Sequence, residues 1–195
     1  KTAQIVLNPL HRILKFLIGP VPVMDINGIG NIDLHVTGNR QKPHAFGQFN
    51  FRNAKVSFLE IHNMLVENGA GFLKFNDIDT YFENSKGDFH GKPVKITGTC
   101  NLYGVLDFNV LTNGQDMGDL LKIIRTSPML KDIQPMIAPV KDAKGPADFK
   151  LHLTGEVPDI DNMVFNKNLF ASGSVNLHSI AVVPQGLSVP LTAVS

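Results

Sequence analysis

The sequence holds one cysteine, Cys100, among 195 residues, which excludes a disulfide within the chain. Cys100 stands in step with Val94, Ile96, Gly98 and Leu102 on an alternating stretch, so a buried and inert thiol is expected. An excess of charge of either sign is also missing. Eighteen Lys and Arg stand against 17 Asp and Glu with no block of like charge, and without a basic stripe a nucleic-acid partner is not expected. Long apolar runs are absent. The most apolar stretch, residues 16–24, is about half of what a membrane helix needs and is broken by Gly19, Pro20 and Pro22. No secretory leader pattern is present either. With no initiating Met and a final stretch, 187–195, in mid-alternation, the chain reads as a fragment, and any anchor or targeting signal is expected outside it. Chemical motifs are lacking as well: no serine in a glycine elbow, no phosphate-cradling glycine loop, no HExxH. The expectation is therefore a non-enzymatic protein with no cofactor and no metal.

What is present is alternation, and it repeats. Gly30-Asn31-Ile32-Asp33-Leu34-His35-Val36-Thr37-Gly38 returns as Gly145-Pro146-Ala147-Asp148-Phe149-Lys150-Leu151-His152-Leu153-Thr154-Gly155. In both copies apolar and polar residues alternate with period two, the pattern of a half-buried antiparallel strand. The likeness extends outward. Ile13-Leu14-Lys15-Phe16-Leu17 is echoed by Leu120-Leu121-Lys122-Ile123-Ile124, and Gly47-Gln48-Phe49-Asn50-Phe51 by Gly173-Ser174-Val175-Asn176-Leu177. A helix, a proline-bearing linker and two strands thus recur in fixed order, which divides the chain into units of about 8–114 and 115–195, the second incomplete.

Asn8 and Pro9 supply an N-cap and a first-turn proline for a helix over 9–17, striped by Leu10, Ile13, Leu14 and Leu17. Residues 22–28 read as a linker. From 46 to 113 the chain reads as short strands over 46–53, 55–59, 61–67, 71–75, 78–82, 94–102 and 105–111, parted by glycine and asparagine turns. Asp116 caps a second helix, to 125, with Met117, Leu120, Leu121 and Ile124 as its stripe. Pro128, Pro135 and Pro139 then prevent a long helix, and 157–167 is a polar connection. Residues 169–177 alternate again with Leu169, Ala171, Val175 and Leu177 inward, and Leu187, Val189 and Leu191 open a further strand.

Three features invite a chemical reading and are better explained otherwise. His35 and His152 occupy equivalent positions on polar strand faces without a ligand-like neighbour, so solvated or turn-facing histidines are expected rather than metal ligands. Asp77 and Asp79 flank Ile78, yet nothing beside them would separate two carboxyl pKa values. Gly28-Ile29-Gly30 precedes a strand rather than a helix and cannot bind phosphate as a dinucleotide fold does.

What remains is one large apolar strand face: Ile32, Leu34, Val36, Phe49, Phe51, Val94, Ile96, Leu106, Phe108, Val110, Phe149, Leu151 and Leu153. In a sheet that closes on itself or on the helices, these residues form an ordinary core. In a sheet that curls without closing, they line a trough able to shelter acyl chains, each buried methylene contributing about 0.8 kcal/mol.

The helix with Asp119-Leu120-Leu121, the proline-rich linker, Gly145, the strand ending in Leu153-Thr154-Gly155 and Val157-Pro158 together resemble the AsmA-like repeats of Gram-negative envelope proteins, the group of AsmA, TamB and YhdP. The stretch from Gly87 through Lys92-Pro93 to Thr97-Gly98 is similar to the same group. The resemblance implies a mainly β fold with short helices: an antiparallel, twisted, U-shaped groove with two amphipathic helices packed at its mouth or end. It implies a periplasmic protein anchored in the inner membrane by a segment outside this chain. Its implied partners are phospholipid acyl chains, and its implied role is non-vesicular phospholipid transport between inner and outer membranes in support of outer-membrane biogenesis. The thirteen residues above would be the lipid-contact surface. The alternative is a structural or interaction β-module that docks other envelope proteins without passing lipid.

Overall fold

Residues 3–6, 25–39, 42–58, 64–126, 134–156, 170–186 and 191–192 are described in the computed structural model. The expected helix over 9–17 and the connection 157–167 lie outside them, as do Leu169, Leu187 and Val189. Alternation becomes strand almost everywhere else. The first stretch gives β1 (Ala3–Val6), β2 (Asp25–Asn39), β3 (Lys42–Phe58), β4 (Met64–Asp77), β5 (Asp79–Phe89), β6 (Lys92–Asn101) and β7 (Val105–Asp116). After two short helices, α1 (Met117–Thr126) and α2 (Gln134–Ile137), come β8 (Val140–Lys144), β9 (Pro146–Glu156), β10 (Phe170–Leu177), β11 (Ala181–Pro184) and β12 (Leu191–Thr192). Strands β1 to β7 form an antiparallel meander that β9 and β10 continue, giving nine strands in one sheet; β12, β11 and β8 form a second, three-stranded sheet. The large sheet is not closed: β1 and β10 are its two edges.

The strands are longer than the alternation alone predicts. Asn53, expected at a strand end, and Asn68 and Asn84, expected at turns, instead sit inside β3, β4 and β5 with φ of 51°, 52° and 51°, and Gly114 sits inside β7 with φ 67°. At each of these points the pairing register slips: between Phe51 and Ala54, Glu67 and Ala70, Phe82 and Ser85, and Thr112 and Gln115. These are β-bulges, and asparagine is the non-glycine residue that best tolerates the left-handed conformation they need. The extra residue restores the facing of the side chains beyond it. Ala54, Ser85, Phe89 and Gln115 accordingly stay buried on the face begun by Phe51, Phe82 and Thr112. The stretch 22–28, expected as a linker, is strand from Asp25 onward, which places Gly28 and Gly30 inside β2. Ile78 belongs to the tight β4–β5 turn rather than to a strand.

Helix α1 begins where Asp116 predicts. The Asp116 carboxylate accepts from the Gly118 and Asp119 N–H groups at 2.8 and 3.3 Å, satisfying two donors of the first turn. Leu120 and Ile123 pack on Phe89 and Val94, so the helix covers one end of the large sheet's apolar face. Its opposite side meets β8, where Gly118 lets the helix approach the Ala143 carbonyl. At its C-terminal end Arg125 donates to the Val140 and Lys141 carbonyls, and Gln134 of α2 donates to the Ile124 carbonyl at 2.9 Å. Because both sides are covered, Gly118, Leu121 and Ile123 are the buried residues of the helix.

Candidate functional site: an open apolar face

Directly paired residues of antiparallel strands point to the same side of a sheet, so the register defines the face. Ile32 pairs with Phe49, Phe49 with Leu73, and Leu73 with Phe82. Phe82 pairs with Gly98, Gly98 with Phe108, Phe108 with Leu153, and Leu153 with Ala171. One row thus crosses the sheet from β2 to β10. Parallel rows bring in Leu34, Val36, Phe51, Val94, Ile96, Leu106, Val110, Phe149 and Leu151. All thirteen expected residues therefore lie on one side.

The face is covered unevenly. Around β3 and β4 it is dry: Phe49 is 2% exposed and Leu73 and Phe75 are 3% exposed, with Ile32, Leu34, Phe51, Phe82, Leu106 and Phe108 packed around them. At the helix end Val94 is buried against Ile123, with Ile96 and Val110 beside it. Of the thirteen, only Phe49 and Val94 are buried, while Val36 is exposed and the other ten are half-buried. Toward β10 the face opens. Phe149, Leu151 and Leu153 are half-buried, and Val175 and Leu177 are 47% and 52% exposed. Leu73, Phe75 and Phe82 belong to the same surface beyond the thirteen expected residues; the alternation of 78–82 holds the signal for Phe82.

Glycines on this face stand where neighbouring strands approach closely. Gly98 has φ +139°, and a Cβ there would fall against the Asp107 carbonyl oxygen and 2.9 Å from Phe108 Cα. The rings of Phe82 and Phe108, two strands apart, meet over it edge to face at 4.9 Å. Gly47 and Gly173 are kinked in the same way, with φ +144° and +157°. The repeat in sequence becomes a repeat in register here: Leu34 pairs with Gly47 in β2–β3, and Leu151 pairs with Gly173 in β9–β10.

The opposite side is largely polar, with Phe46, Val105 and Leu111 exposed on it; two histidine–aspartate pairs lie there and a third stands at the β4–β5 turn. His44 pairs with Asp77, His152 with Asp107 at 2.8 Å, and His178 with Asp148 at 2.8 Å. The hydrogen bond from His178, with a second from the Gly114 N–H, holds the Asp148 carboxyl below the usual carboxylate range. Nothing in the sequence spacing announced these pairs, because each joins residues 30 to 45 positions apart. Asp77, considered with Asp79 as a carboxylate pair, is taken up by His44. Cys100 is buried as expected, and burial, helped by the Asp79 charge, pushes its thiol up to about 12. Two hydroxyls buried on the apolar side, Thr80 Oγ1 and Ser85 Oγ, have no hydrogen-bond partner.

Among the described residues no three His, Cys, Asp or Glu side chains converge as a metal site, and no helix is long and apolar enough to cross a membrane. No protein-family model, no curated protein and no solved structure matches the chain.

Proposed function

We propose that the open apolar face holds phospholipid acyl chains, and that the chain serves non-vesicular lipid transfer between the two membranes of a Gram-negative envelope. The observation that carries this reading is the incomplete burial of the face. Ten of its thirteen expected residues remain half-buried in a sheet whose edges do not meet. A hydrocarbon chain laid along Leu151, Leu153, Val175 and Leu177 would remove that surface from water. About ten buried methylenes would contribute roughly 8 kcal/mol before the cost of ordering the chain. No covalent step and no cofactor is needed. The periplasmic location, the inner-membrane anchor and the role in outer-membrane biogenesis rest on the resemblance of the repeats to AsmA-like proteins.

A second reading is favoured by the dryness of Phe49, Leu73 and Phe75: that part of the face is filled by its own side chains, as in an envelope interaction module that carries no lipid. Binding of a fluorescent fatty acid separates the two. Leu153→Lys places a charge on the half-buried part of the face, beside Phe108 and outside the buried trio Phe49, Leu73 and Phe75. The expected result is saturable binding by the wild-type chain and at least tenfold weaker binding by the variant, with circular dichroism unchanged. No binding by the wild type, or equal binding by both, would overturn lipid holding.

A further inference from the structure

The two hairpins that share a register do not share a neighbour. In the first, β3 is followed in the sheet by β4; in the second, β10 is an edge, and no described strand lies beyond it. The kinked glycines show what the missing neighbour contributes. Gly47 is paired with Leu34 on one side and Phe75 on the other, and Gly98 with Phe82 and Phe108. Among the described residues Gly173 is paired with Leu151 alone. The consequence is visible in exposure, since Val175 is 47% exposed while its counterpart Phe49 is 2% exposed.

The strand itself carries none of the usual guards against pairing. Phe-Ala-Ser-Gly-Ser-Val-Asn-Leu, residues 170–177, contains no charge and no proline, and all eight residues are exposed. An uncharged edge of that length is a template for a further strand. The opposite edge, β1, reads Ala-Gln-Ile-Val and has no aromatic residue to offer, so a second copy joining through β1 would leave Gly173 uncovered.

We propose that the β10 edge receives an antiparallel strand of the β4 type, which seats an aromatic side chain over Gly173. Transferring the β3–β4 register fixes the contacts. Gly47 pairs with Phe75, Gln48 with Lys74 and Phe49 with Leu73. The incoming strand therefore sets its aromatic residue opposite Gly173, a leucine beside Val175, and the residue equivalent to Lys74 beside Ser174. The partner is thus an extended segment alternating large apolar with polar side chains, and this inference does not depend on lipid holding.

A synthetic peptide of residues 64–77 tests it on the intact chain by fluorescence anisotropy and amide exchange. The expected result is saturable binding with new protection confined to residues 170–177, and at least tenfold weaker binding when the peptide carries Phe75→Ala. The register has its own signature in directly opposed charges. Ser174→Lys in the protein should weaken the peptide a few-fold and Ser174→Asp strengthen it, with both effects reversed by Lys74→Glu in the peptide. A scrambled peptide binding equally well, protection at β3 rather than β10, or charge effects that do not reverse would each overturn the proposal. So would self-association through β10 that the peptide does not compete.

Discussion

Replacing Gly98 by alanine tests whether the kinked glycines shape the sheet. At φ +139° the backbone lies in a region open essentially to glycine, where an L residue costs about 1–3 kcal/mol. The added Cβ would also press on the Asp107 carbonyl and sit 2.9 Å from both Cα and Cδ1 of Phe108, so a ladder strand and a packed ring must both give way. Together these put the loss at about 3–5 kcal/mol. Gly91→Ala is the control. Gly91 also has positive φ, +72°, but a Cβ there meets nothing within 4 Å, so only the backbone term of about 1–2 kcal/mol applies. Urea unfolding followed by circular dichroism reads the difference. A gap of about 2 kcal/mol separates the midpoints by roughly 1 M at a typical denaturant slope. Equal midpoints for the two variants would refute the idea that close backbone approach at Gly98 is what the sheet requires.

Three further outcomes follow from the site. Thr80→Val should stabilise the fold by about 1 kcal/mol, since it removes a buried hydroxyl without a partner, and a lowered thermal midpoint would count against that burial. Asp148 has a folded pKa below its unfolded one, so its bond to His178 contributes stability above the ordinary carboxylate range and loses it as pH falls through the folded value. Asp148→Asn should therefore flatten the acid limb of a plot of thermal midpoint against pH, and an unchanged limb would contradict the pairing. Cys100, with its thiol pushed up to about 12, should resist a thiol reagent at pH 8 and react only at the rate of unfolding. Fast labelling of the native chain would show that the thiol is accessible.

The face was legible in the sequence because period-two alternation survives wherever one side of a sheet is apolar, and the thirteen residues named from it share that side. The strand lengths were not legible. Asn53, Asn68 and Asn84 look like turn residues because the left-handed conformation that suits a turn is the same one that suits a bulge, and only the partner strand tells the two apart. Strands β8 and β11 left little trace: Val140-Lys141-Asp142-Ala143-Lys144 is short and largely polar, and it is fixed by Ala181, Val182 and Val183 across a long separation. Asp116 was readable as a cap because capping is local. The burial of Ile123 rather than Ile124 was not, because it depends on which surfaces the helix finds on its two sides. The opening of the face toward β10 was equally hidden. Gly173-Ser174-Val175 matches Gly47-Gln48-Phe49 in pattern, and the difference lies only in what stands next to each in the sheet.

Lipid holding is tested most directly by native mass spectrometry of the purified chain, followed by extraction and identification of bound lipid. An open acyl-binding face predicts co-purifying phospholipid in the wild type and its loss in Leu153→Lys at unchanged fold. A stable, monodisperse and lipid-free wild-type protein would contradict it and leave the face as the core of an interaction module.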